Sequence, residues 1–392
     1  MKAERFLGAA IATSAIALTS SLAAAQEPVR IGYSISQTGI FADAAVSQQT
    51  AYELWQSEVN AEGGLLVDGE RRPVEFVVYD DQSDQGQAVR IYESLITDDE
   101  VDLLAAPWGT ALHFPIVGVL ERYQFPVVGN TAASVQLQEV APGNIWFPTS
   151  AIPDRIAARL VEIIQENGYS RVAVMALQLP FSLEVYEYVV PALEDAGIEI
   201  VVDETFPPGT NDITAMLVQA QNAQADAILS LTYPGESVMY MNQAREVGIE
   251  APFQFVLVGP TIAFFSQIFG EGANGIVTIG HWSPNRDDWP GARAFFDNYT
   301  ETFGFPPDYL DSVLAYMSME ILEQAVAEAG LDHDALREAI STGTFQTING
   351  DIAFDGVQNA TTPTMLLQLQ GGVAEIVWPP VEATADYQPI GE

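Results

Sequence analysis

The chain has 392 residues, 48% of them hydrophobic, no cysteine, and 14 basic against 53 acidic residues for a formal net charge of −39. That length suits two domains with ample cores, and without cysteine neither a disulfide framework nor a lipid-anchored N-terminal cysteine can form. So acidic a chain excludes nucleic acid and anionic membrane surfaces as partners, because both require clustered Lys and Arg.

Lys2 and Arg5 flank the start of an apolar run over 6–18, and Ala23 and Ala25 lie in a small-residue stretch before Gln26. This is the pattern of a secretory signal peptide cleaved after Ala25, with an apolar run too short to span a bilayer. The mature chain is expected to be free in the periplasm. Its acidic residues are scattered, as on a solvated surface, and their mutual repulsion points to a saline setting.

Residues 29–33 read as a buried strand. Ala51, Leu54, Trp55 and Val59 then fall at helical spacing before Gly63 and Gly64 stop the helix. A strand at 74–79 precedes a helix with Ala88, Ile91, Tyr92, Leu95 and Ile96 on one face. Next come a strand at 102–106, a helix at about 116–123 and a short strand at 125–128. This alternation means parallel strands with covering helices, a doubly wound α/β sheet.

A second series of the same kind has helices at 156–165, 183–196, 213–221 and 238–247 between strands at 172–177, 198–202, 227–231 and 253–258. Beyond Ile279 the pattern is mainly helical, at 292–303, 313–329 and 335–340. It ends in strands near 352, 365–369 and 374–378, so the chain is expected to recross between lobes.

Ligands of open α/β sheets bind beyond the carboxyl ends of the strands, here at 34–41, 107–110, 130–134, 178–181, 233–235, 259–261 and 281–282. These segments are rich in hydroxyls, amides, glycine and aromatics, as a small-molecule cleft requires. Trp108, Phe181, Tyr233 and Trp282 can each be core residues, but their shared place after strands favours the cleft wall. His281 reads as a structural histidine.

Chemistry-bearing motifs are weak. Residues 270–275 match G-x-G-x-x-G, but they follow a helix and enter a strand, the reverse of a dinucleotide fingerprint, and read as a helix stop and turn. Asp80, Asp81 and Asp84 resemble the start of a calcium loop, yet Ile91 or Tyr92 stands where the closing Glu belongs; an acidic helix start is the better reading. The histidines are His113, His281 and His333, with neither an H-E-x-x-H motif nor a cysteine set for zinc. No nucleophile elbow or phosphate loop is present. The residues therefore imply no enzyme, no metal and no cofactor.

The segments PVRIGYSISQTGIFA, NAEGGLLVDG, VEFVVYDDQSDQGQAV, PWGTALHFPIVGVLERYQFPVVGNTAAS, YMNQAREVGI and FQFVLVGP together give the chain its resemblance to a family. The chain resembles the leucine/isoleucine/valine-type receptors of the type I periplasmic binding proteins along essentially its whole mature length. The resemblance implies two Rossmann-like lobes joined by three crossovers, near 147–150, 279–282 and 349–354, closing by hinge motion. The lobes would be 26–147 with 282–349, and 148–281 with 350–392.

The resemblance also implies a site. Ligand carboxylate would be held at Thr110, with Trp108 and Gly109 beside it, and at Thr131, Ala132 and Ala133, where the second hydroxyl of the family falls on Ala133 and Ser134 is next to it. Phe181 and Tyr233 would close over the ligand from the second lobe, Phe181 without the hydroxyl of the usual tyrosine. Thr261 stands where amino acid receptors of this family commonly place a carboxylate for the ligand ammonium. An ammonium enclosed without a counter-charge is costly, so small carboxylates or amides are expected to bind better than leucine, isoleucine or valine unless Glu236 supplies the acid. The function implied is that of a monomeric periplasmic substrate-binding protein. It would deliver a small amino acid-like, carboxylate or amide ligand to the permease of an ABC importer. A sensory receptor on the same fold is the alternative.

Overall fold

Val29, Ile31, Tyr33 and Ile35 are all buried and the intervening residues are nearly so, leaving β1 (Val29–Ile35) no face for water. Such a strand belongs in the middle of a parallel sheet covered on both sides. The computed structural model describes residues 27–141 and 143–391, and the expected signal peptide lies outside them. Helix α1 (Ala42–Ala61) leads to a hairpin of β2 (Leu65–Val67) and β3 (Glu70–Arg72), turned by Asp68 and Gly69 at positive φ. Strand β4 (Val74–Asp80) pairs in parallel with β1, and α2 (Gln85–Thr97) carries the chain to β5 (Leu103–Leu104) on the other side of β1. Helix α3 (Thr110–Tyr123), β6 (Val127–Val128), α4 (Val135–Val140) and β7 (Ile145–Trp146) follow, with β6 and β7 parallel.

The second lobe opens with α5 (Pro153–Glu166) and builds a seven-stranded sheet. In chain order its elements are β8 (Arg171–Leu177), α6 (Pro180–Asp195), β9 (Glu199–Phe206), α7 (Thr214–Asn222) and β10 (Ala227–Leu231). Helix α8 (Pro234–Val247), β11 (Phe253–Val256), α9 (Ala263–Phe269) and β12 (Val277–Gly280) complete the parallel part. The chain then returns as α10 (Ala292–Phe303), α11 (Asp311–Ala329) and α12 (His333–Thr342), with α11 packed along α1. Strands β13 (Thr344–Thr347), β14 (Gly350–Asp355) and β15 (Gln358–Asn359) form a small antiparallel sheet. Finally β16 (Met365–Gln370) and β17 (Val373–Trp378) add an antiparallel edge in the order β17-β16-β12-β11-β10-β8-β9. Among the described residues no helix is long and apolar enough to cross a membrane.

Two boundaries differ from expectation. The segment 349–354, expected as a crossing, belongs to a hairpin: β13 and β14 pair and pack on α11 and α12, and Phe147 bridges to Gln358. Helix α3 starts at Thr110 rather than near Ile116, because Pro115 and Gly118 interrupt its apolar pattern without breaking the helix. The glycine run 270–275 begins with a 3₁₀ turn, Gly270–Ala273, between α9 and β12, as a helix stop requires. Of the three aspartates, Asp84 caps α2 by accepting from the Gln87 amide at 2.7 Å, and buried Asp81 accepts from Ser34 and Ser36 at 2.8 and 2.5 Å.

Candidate functional site

The loops at the carboxyl ends of both parallel sheets face each other across one cavity. Gly109, at φ 76°, turns the chain directly into α3, and it has no side chain to cap the helix. Among the described residues the Thr110 and Ala111 amides donate to nothing, so the positive end of α3 is open toward the cavity. From the other lobe α6 and α8 begin at Pro180 and Pro234, placing Phe181 and Tyr233 on the opposite wall. Thr149, Ala151 and His281 come from the crossing segments, and Leu310, Asp311 and Leu314 from the start of α11.

Of the residues expected from the sequence, Trp108, Gly109, Thr110, Thr131, Ala133, Phe181 and Tyr233 line this cavity. The hydroxyls also tie the two first-lobe loops together. Thr110 Oγ1 accepts from the Ala133 amide at 3.0 Å, and Thr131 Oγ1 accepts from the Gly109 amide at 2.6 Å. Ala132 is fully buried and does not line it, while Ser134 is the cap of α4, accepting from Leu137 at 2.9 Å. Trp282 is a core residue: its indole donates to the Ile348 carbonyl and its ring packs edge-on to Phe295 and Tyr309.

Thr261 is also outside the cavity. Its hydroxyl crosses between lobes to donate to Asp308 Oδ1 at 2.5 Å. Tyr233 and Trp108 meet across the same gap with ring centroids 6.0 Å apart. Glu184 of α6, nearly buried, reaches the start of α4, accepting from the amides of Val135 and Gln136 at 2.9 and 3.1 Å.

Sequence reasoning placed Phe41 only within the 34–41 loop, without singling it out, and missed Asp311. Phe41 packs on Trp108 and Tyr233 at centroid distances of 5.1 and 6.0 Å, so the three rings form one aromatic wall. Asp311 is 3% exposed and accepts from Trp108 Nε1 at 2.9 Å. Burial, then the neighbouring Asp308, pushes its carboxyl well above the usual range. In the sequence it looks like an ordinary acidic helix start. The usable signal was its phase, since Asp311 shares a face with the buried Leu314, Ala315, Ser318 and Leu322. His281 sits beside the cavity as a neutral ring between Thr149 and Ser150, its pKa pushed down to about 3 by burial.

A family model described as "Periplasmic binding protein" matches residues 28–372. The chain belongs to this family. The binding protein is 24% identical to "Leu/Ile/Val-binding protein homolog 7" of Brucella suis biovar 1, over 96% of its own length and 98% of the relative's. Its fold matches that of the branched-chain amino acid transporter substrate-binding protein LivJ of Streptococcus pneumoniae, solved with isoleucine. That match has a TM-score of 0.80 at 23% identity and covers 90% of this chain and 100% of the other. A solute-binding protein of an ABC transporter from Rhodopseudomonas palustris, solved with 3,4-dihydroxybenzoic acid, matches with a TM-score of 0.78. There the identity is 18%, and the match covers 88% of this chain and 95% of the other.

Proposed function

We propose that the protein captures a small amino acid-like, carboxylate or amide ligand in the periplasm, closes its lobes on it, and presents it to the permease of an ABC importer. The observation that carries this is the cavity itself. It lies at the carboxyl ends of both sheets and takes walls from both lobes, so a ligand there is shared between them and stabilises closure. The first lobe is read as 27–147 with 282–359 and the second as 148–281 with 360–391. Trp108, Gly109, Thr110, Thr131, Ala133, Phe181 and Tyr233 are the proposed ligand contacts. The protein acts as a monomer, secreted by its signal peptide with Gln26 as the mature N-terminus, and it returns its ligand chemically unchanged rather than transforming it.

The test is native purification from the periplasm followed by denaturation and mass spectrometry of what is released. A single small carboxylate, amide or amino acid is the expected result. Adding it back should lower the radius of gyration in small-angle scattering, because closing lobes exclude cleft water. A protein that releases nothing and stays the same size with every member of those classes would defeat the reading.

A further inference from the structure

Asp311 is a buried acid with an unused oxygen. Its Oδ2 accepts from Trp108, while among the described residues nothing donates to Oδ1, and no arginine pairs with the carboxylate. Lys2 is the only lysine of the chain, so the described residues offer no ammonium. A carboxyl held away from water without a counter-charge is stable only if it keeps a proton or meets a cation from outside.

The groups facing Asp311 supply no such cation. Asp308, in the turn before α11, accepts from the amides of Leu310 and Asp311 and from Thr261, so it is the better satisfied acid of the two. Tyr233, capping α8, has its phenol pushed up by burial and by Asp311, and Glu236 in the first turn of α8 is pushed up by burial. His281 on the crossing segment is held neutral. Phe41, Trp108 and Tyr233 cannot cage a cation among themselves either, since centroids 5.1 to 6.0 Å apart mean that the rings already fill the space between them. The cavity therefore pairs an open helix N-terminus on α3, suited to an anionic oxygen, with one unpaired acid at the start of α11.

We propose that Asp311 is the specificity-determining residue for a protonated amine on the ligand, and that capture of such a ligand releases one proton from Asp311. This rests on the binding-protein reading and goes beyond it. It relocates the acid from the position of Thr261, on the second lobe, to α11 of the first. The exchange balances: an ammonium enters with its charge, the carboxyl gives its proton to solvent, and a neutral acid becomes an ion pair. The opposite assignment, a protonated Asp311 donating to a ligand carbonyl or carboxylate, needs no proton release and so is separable from it.

The experiment is calorimetry of the full-length mature protein with L-leucine and L-phenylalanine and with their deaminated analogues, 4-methylpentanoate and 3-phenylpropanoate. It is run in buffers of different ionisation enthalpy. The amines should bind with release of a proton at every pH where the Asp311 carboxyl of the free protein is still protonated. Their affinity should rise about tenfold per pH unit until the Asp311 carboxyl is ionised in the free protein. Asp311→Asn should weaken amine binding about 100-fold while sparing the deaminated acids, the usual cost of breaking a buried charge pair. Its unfolding temperature should not fall, because an unpaired buried acid has been removed. If the variant does not fold, the buffer dependence of the wild type decides alone. Deaminated acids that bind as tightly as the amines, with no proton released, would overturn the role of Asp311 and leave the binding-protein reading standing. Failure of both series to bind would overturn the role of Asp311, and the binding-protein reading falls with it only if no carboxylate, amide or amino acid binds.

Discussion

The hydroxyl of Thr261 reaches from the second lobe to Asp308 in the first, so its hydrogen bond exists only while the lobes are together. Thr261→Val removes the donor and keeps the shape. A hydrogen bond to a carboxylate contributes about 1.5 to 3 kcal/mol, so the captured ligand should bind roughly tenfold to hundredfold more weakly, mostly through faster release. Stopped-flow release of a ligand that the wild type retains is the measurement, and an unchanged rate would mean that the bond contributes nothing to closure. The same geometry takes Thr261 away from the ligand contact that the resemblance implied. A carboxylate introduced by Thr261→Glu would meet Asp308 rather than the ligand, and like charges would oppose closure. The residue that the ligand meets instead, Asp311, is linked to Trp108 across a sequence separation of 203, and no local pattern encodes such a pairing.

Among the elements, α4 depends most on its surroundings. It has six residues, too few to be stable alone, and both Ser134 from its own chain end and Glu184 from the other lobe satisfy its first amides. Glu184 thus acts as a latch that engages when the lobes meet. Glu184→Ala should leave the unfolding free energy of the ligand-free protein within about 1 kcal/mol of the wild type, since each lobe keeps its own core. Ligand affinity should fall by tenfold or more. Paired chemical denaturation and calorimetry test this, and equal affinity in the two proteins would rule out a latch. Amphipathic helices were legible in the sequence: α10 was expected at 292–303 and runs Ala292–Phe303. Helix α4 was not, because six residues carry too little periodicity, and α3 was legible only in its second half, because Pro115 and Gly118 interrupt its pattern.

For the whole molecule the dominant quantity is the formal charge of −39. The ion pairs among the described residues all use arginine, and most lie on exposed side chains, where salt screens them and each contributes little. Net repulsion therefore outweighs them, within each lobe and between lobes as they close. Raising salt from about 0.01 M to about 1 M shortens the screening length from roughly 30 to 3 Å, so both the unfolding midpoint and the ligand affinity should rise. Denaturation curves at the two salt concentrations check this, and midpoints that stay level or fall would show that the surface charge is already compensated.

The sequence by itself determined the main alternation of strands and helices, the two-lobe α/β class and seven of the residues that line the cavity. Alternation, helical phase and turn residues are local, and parallel sheets put their loops at one predictable end. Tertiary structure alone decided that 349–354 is a hairpin held to the first lobe, that Thr261 faces Asp308, and that Asp311 faces the cavity. Periodicity reports that a face is buried but not what it is buried against. A residue of the core and a residue of a closed cleft look the same until distant segments are brought together.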